Sequence, residues 1–104
     1  MPAFQNESVD RLFAVIAAMN DPKEVEALLT DLCTIRELQD MALRFDTAVL
    51  LSRGMSYNKI VEQTGASTAT ISRVNRCLMY GAEGYTKAIE KAAEAGLIDG
   101  EKEE

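Results

Sequence analysis

The sequence has no histidine, two cysteines, two prolines and no long apolar run. Each shortage excludes something. Without histidine, the commonest general acid–base group and the commonest metal ligand are missing. Cys33 and Cys77 stand 44 residues apart with no CxxC pair, so a structural zinc site is not expected. The expectation is two reduced thiols in or near a core, with no metal and no cofactor. No glycine-rich phosphate loop or nucleophile elbow is present. Glu24 with Glu26, and Asp40 with Asp46, read as solvated charge on helix faces. The chain is therefore not expected to be an enzyme. No stretch approaches the ~20 apolar residues of a membrane-spanning helix, and no signal peptide precedes the first charges. The expected location is cytoplasmic, with no membrane partner.

What is present suits one helical domain of 104 residues, 47% of them apolar, near the usual domain size. The net charge of −6 argues at first against a nucleic-acid partner. Its distribution reverses that view. Residues 1–52 carry four basic and nine acidic side chains, and residues 92–104 carry one basic and five acidic. Residues 53–91 carry six basic (Arg53, Lys59, Arg73, Arg76, Lys87, Lys91) against three acidic. The positive charge is concentrated in one part of an acidic chain.

Apolar residues at three- and four-residue spacing (Val9, Leu12, Phe13, Ile16, Met19) predict a first helix over about 5–19. Asn20-Asp21-Pro22 breaks it, and Asp21, Pro22 and Glu24 make a capping pattern for a second helix. Thr34-Ile35-Arg36-Glu37 is a capping box opening a long helix to Ser52, with Leu38, Met41, Ala42, Phe45 and Val49 on a broad apolar face that Gly54 ends. These helices, residues 5–52, carry more apolar surface than a lone small bundle uses, so they are expected to serve dimerisation. A last helix is expected over 83–95, and residues 99–104 read as a solvated acidic tail. The methionines read as core fill, and Tyr57 and Tyr80 as packing edges.

Residues 56–80 have a distinct form. Ser56 caps a short helix, Gly65 marks a tight turn, and Ser67 caps a second helix running to Tyr80. Ile60 on the first helix is placed to meet Ile71 and Val74 on the second. This is the form of a helix-turn-helix, whose second helix can lie in a DNA major groove. Left outside are Ser67, Thr68, Ala69, Ser72, Arg73 and Arg76, short side chains followed by arginines. Thr68, Ala69 and Ser72 suit base edges. Arg53, Asn58, Lys59, Arg73 and Arg76 suit backbone phosphates, and Ser56 and Thr70 are counted with them as DNA-binding candidates. A plain helix hairpin with a solvated basic face is the competing reading of the same spacing.

From about Leu28 to Met79 the chain resembles the Trp repressor superfamily, and within it the YerC/YecD-like branch. The string Gly65-Ala66-Ser67-Thr68-Ala69-Thr70-Ile71-Ser72-Arg73 carries most of the resemblance, with Thr34–Glu37, Ala42-Leu43-Arg44 and Leu51–Ser56 in support. The resemblance implies an all-α, intertwined homodimer that binds palindromic operators on double-stranded DNA. It also implies an effector pocket at Thr34, Arg44, Arg73, Val74 and Cys77. There the chain departs from the pattern: the family's glycine under the ligand is Val74, and a ligand-contacting serine is Cys77. Overfilling a packed site costs about 1–3 kcal/mol, so tryptophan is not the expected corepressor and a different small effector stays open. The expected function is a sequence-specific DNA-binding transcriptional regulator of repressor type. The alternative is a helical dimerisation or protein-interaction module without DNA affinity.

Overall fold

The computed structural model describes residues 6–99, which form six helices and, among the described residues, no strand. They are α1 (Glu7–Ala18), α2 (Pro22–Leu32), α3 (Ile35–Ser52), α4 (Tyr57–Thr64), α5 (Thr68–Tyr80) and α6 (Gly84–Glu94). The all-α expectation is met. None of these helices is long and apolar enough to cross a membrane. The residue at which the first helix was expected to begin, and most of the acidic tail, lie outside the described residues.

The chain divides into two compact units, one up to Leu38 and one from Gln39 onward. In the first, local chemistry fixes the helix ends. Asn6 Oδ1 accepts the Val9 N–H at 3.0 Å, capping α1. Asp21 Oδ1 accepts the Lys23 N–H at 2.9 Å, with Pro22 at the first helical position of α2, where a missing N–H costs nothing. The capping box of α3 is complete. Glu37 N–H donates to Thr34 Oγ1 at 3.0 Å, and Thr34 N–H donates to Glu37 Oε1 at 2.8 Å. The Thr34 backbone N–H, and after it the Thr34 hydroxyl, favour the ionised carboxylate and hold Glu37 below its ordinary pKa of 4.5. Neither α1 nor α2 contains a buried residue, although both are amphipathic.

The second unit holds the buried core: Ala48 and Val49 of α3, Ile60 of α4, Ala66 of the turn, and Ile71 and Val74 of α5. Leu43, Leu50, Leu51, Met55 and Tyr57 pack around Ile60, Ala66 and Ile71. α5 packs against both α4 and α6. Three helices end on left-handed glycines, and two of them, α3 and α6, close with a pair of backbone hydrogen bonds. At Gly54 (φ 85°), Met55 N–H reaches Leu50 O at 3.1 Å and Gly54 N–H reaches Leu51 O at 3.0 Å. At Gly96 (φ 74°), Leu97 N–H reaches Ala92 O and Gly96 N–H reaches Ala93 O. This paired closure satisfies the last carbonyls of α3 and α6 and reverses the chain.

Part of the expected packing differs. In α3 the buried residues are Thr47, Ala48 and Val49, whereas Met41 and Ala42 are exposed. Thr47 is tolerated inside because its hydroxyl donates to Leu43 O at 2.8 Å, which satisfies the buried oxygen. Of the methionines, Met55 packs on the core, but Met41 and Met79 are exposed, Met79 by 64%. Tyr57 is a packing edge, whereas Tyr80 is 83% exposed.

Candidate nucleic-acid interface

α4 and α5 are joined by a turn whose chemistry is set by its own residues. Gly65 adopts φ 77°, ψ 3°, and its N–H closes α4 on Val61 O at 2.9 Å. An L side chain resists that conformation, which is why glycine stands there. Thr64 then bridges the turn. Its hydroxyl donates to Ile60 O at 2.7 Å and accepts the Ala66 N–H at 3.0 Å. Ala66 is 1% exposed, between Ile60 and Ile71 at 0%. A larger side chain at 66 would have to displace one of them. The joint is therefore held by apolar contact inside and by backbone satisfaction at its edge.

The same joint decides what α5 presents outward. Ser67 caps the helix, its Oγ accepting the Thr70 N–H at 3.1 Å. Ile71 and Val74 are buried, so the opposite side of α5 faces outward: Thr68, Ala69, Ser72, Arg73 and Arg76 are all exposed. Ala69, Arg73 and Arg76 recur at intervals of four and three, which places them on one face. Short side chains at a helix N-terminus thus precede two guanidinium groups, an arrangement that admits close approach to an anionic surface. Thr70 differs from the others. It is half-buried, its Oγ1 accepts from the Ser67 hydroxyl at 3.1 Å, and it faces a cavity. On α4, Ser56 caps by accepting the Lys59 N–H at 3.3 Å, and Asn58 and Lys59 are exposed.

Arg53 is placed otherwise. It is half-buried, and its Nη2 donates to Asp99 O at 2.6 Å. Nothing in the sequence marks that bond, because it joins residues 46 positions apart.

The candidate effector residues separate into groups. Arg44 and Arg73 do meet, lining a cavity of about 220 Å³ together with Asp40, Leu43 and Thr70. Val74 is 1% exposed, inside the core rather than on that cavity wall. Cys77 is an exposed free thiol, and Cys33 a half-buried one. Thr34 belongs to the first unit, where its side chain caps α3.

Three contributors to this region were not singled out from the sequence: Ala66 as core, Thr64 as the bridge of the turn, and Asp40 as a wall of the arginine cavity. The Gly65-Ala66 pair carried a signal for the first, since a small residue beside a turn glycine suits close helix approach. The break between α5 and α6 is also more particular than two flexible glycines. A Cβ on Gly81 would lie 2.4 Å from Cys77 O, and Glu83 itself takes the left-handed conformation at φ 66°.

The second unit thus defines an all-helical protein in which a buried two-helix joint projects one polar, basic helix face. The sequence profile of the family described as Trp repressor protein matches residues 7–93. Over 90 residues the chain is 44% identical to the uncharacterized protein YerC of Bacillus subtilis (strain 168), covering 86% of each. Its fold is similar to that of a TrpR like protein from Eubacterium eligens ATCC 27750, with TM-score 0.82, 40% identity, and 92% of this chain and 96% of that one covered. It is similar also to a crystal structure from Staphylococcus aureus that carries the Trp repressor name, with TM-score 0.80, 35% identity, and 85% and 88% covered. The chain belongs to the Trp repressor family, in its YerC-like branch.

Proposed function

We propose that this protein is a homodimeric, sequence-specific DNA-binding repressor that reads operators with the N-terminal half of α5. The observation that carries the reading is the outward face of α5. Ala69, Ser72, Arg73 and Arg76 are exposed there, and the other side of the helix is locked onto α4 by Ile60, Ala66 and Ile71. A rigid helix with small residues in front can enter a major groove, where Thr68, Ala69 and Ser72 meet base edges and thymine methyls. Arg73, Arg76 and Lys59, with Asn58 and the caps Ser56 and Ser67, hold the flanking phosphates and fix the register. In a two-fold dimer the paired α5 helices enter successive major grooves, so the operator is a palindrome with half-sites about one turn apart.

The dimer is supported by α1, where Leu12, Phe13 and Val15 are 39%, 50% and 42% exposed on an amphipathic helix with nothing buried. A self-complementary apolar face of this kind fits a second copy of the chain.

Tryptophan is not the effector in this reading. The valine at position 74 fills buried volume beside Ile71 instead of leaving room under a ligand. The cavity between Arg44 and Arg73 holds about 220 Å³, below the ~300–1,000 Å³ of ordinary ligand sites. The acidic Asp40 in its wall also disfavours a ligand carboxylate there. Calorimetric titration at millimolar tryptophan is expected to give no saturable heat, and stoichiometric saturation would refute this part. The function itself is tested by genome-wide recovery of bound fragments. A shared palindromic motif is expected, and Arg73→Ala should weaken binding to all recovered sites alike.

A further inference from the structure

The segment after α6 does not leave the domain freely. The left-handed Gly96 turns the chain back, Leu97 is 78% exposed, and Ile98 is half-buried. Gly96–Asp99 then form one wall of a groove of about 480 Å³, whose other walls are Asp46, Val49, Leu50 and Arg53 of the α3 end and Gln63 and Thr64 of α4. Across it, Arg53 Nη2 donates to Asp99 O at 2.6 Å. Arg53 stands three residues before Ser56, the cap of α4. The segment's carbonyl thus occupies a guanidinium at the entrance to the DNA-facing helix pair.

We propose that the C-terminal segment is an internal competitor for the DNA backbone, holding Arg53 until phosphate displaces it. This rests on the DNA-binding reading of α5. A backbone carbonyl is a neutral acceptor, and a phosphate oxygen is a charged one with the stronger bond to guanidinium. Exchange at Arg53 is therefore downhill once a duplex is docked, but it requires the segment to let go. By sequence, the segment is also anionic: residues 99–104 carry four acidic side chains against one lysine. The consequence is a filter. Weak, non-specific duplex encounters do not dislodge the segment, whereas a docked operator does.

The test compares four full-length or shortened proteins by fluorescence anisotropy on a random-sequence duplex. They are the wild type, a chain lacking residues 99–104, Arg53→Ala, and the two changes combined. The shortened chain keeps Gly96, Leu97 and Ile98, the rest of the groove wall. Removing the segment is expected to tighten non-specific binding about three- to tenfold and to steepen its salt dependence, as one more neutralised phosphate per protomer would. In the Arg53→Ala background the same removal should gain no more than the loss of acidic charge alone gives. A fifth protein, with Glu101, Glu103 and Glu104 changed to glutamine, keeps the Asp99 carbonyl and should gain less than the shortened chain. Unchanged or weaker binding on removal overturns the proposal. So does an equal gain without Arg53, or a glutamine variant that matches the shortened chain. Wild-type binding with no effect of removal sinks only this inference, whereas failure of every protein to bind DNA sinks the reading of α5 along with it.

Discussion

The two units of this chain meet water differently. From Gln39 onward, three helices and a turn bury Ala48, Val49, Ile60, Ala66, Ile71 and Val74. Before it, α1 and α2 carry the same amphipathic spacing yet contain no fully buried residue. Periodicity therefore says that a helix has an apolar face, but not whether that face is covered within the chain. The second unit fixes the candidate DNA-reading helix by its own core. The first offers an apolar face that, in the reading proposed here, a second copy covers.

The largest effect should come from the joint that makes the second unit self-sufficient. Ile71→Ala removes a fully buried side chain and is expected to cost about 2–5 kcal/mol in denaturant-induced unfolding. DNA binding should disappear with the fold. On the other side of the comparison, Phe13→Asp puts a charge on the exposed α1 face. It should raise the dimer dissociation constant about thirtyfold or more, read by sedimentation, with helix content unchanged. A normal dimer would mean that the α1 face serves another purpose. Next, Gly65→Ala meets no neighbour within 4 Å, so its cost is that of the left-handed backbone alone, about 1–2 kcal/mol. A much larger loss would reveal a packing role for the turn.

The smallest effect is in the first unit. Glu37 is held below its ordinary 4.5 by the Thr34 backbone N–H and then by the Thr34 hydroxyl. Its contribution is therefore complete above that ordinary value and is lost as pH falls through the lowered folded-state value. Thermal melts of wild type and Glu37→Ala should differ near neutrality and converge in acid.

Helix limits were legible because caps and glycines are local. Ser56, Gly65 and Ser67 bound α4 and α5 where the spacing placed them. The α4–α5 core was half legible: Ile60 and Ile71 follow from spacing, but Ala66 became core through the shape of the turn. The exposed α5 face followed from the buried one, since the two are opposite on a helix. Long-range partners were not legible. The Arg53 bond to Asp99 and the entry of Asp40 into the arginine cavity depend on how distant segments return, which periodicity does not encode. Glu83 at φ 66° had no sequence signal either, because a non-glycine residue seldom takes the left-handed conformation.

The most direct test of the central claim is the salt dependence of binding to a recovered operator, measured for wild type and Arg73→Ala between about 50 and 200 mM salt. Wild-type affinity is expected to fall steeply across this range. Arg73→Ala is expected to bind more weakly, with a log–log slope shallower by about one for each phosphate that the missing guanidinium no longer neutralises. An affinity indifferent to salt, or an Arg73→Ala protein with the wild-type slope and strength, would contradict that claim.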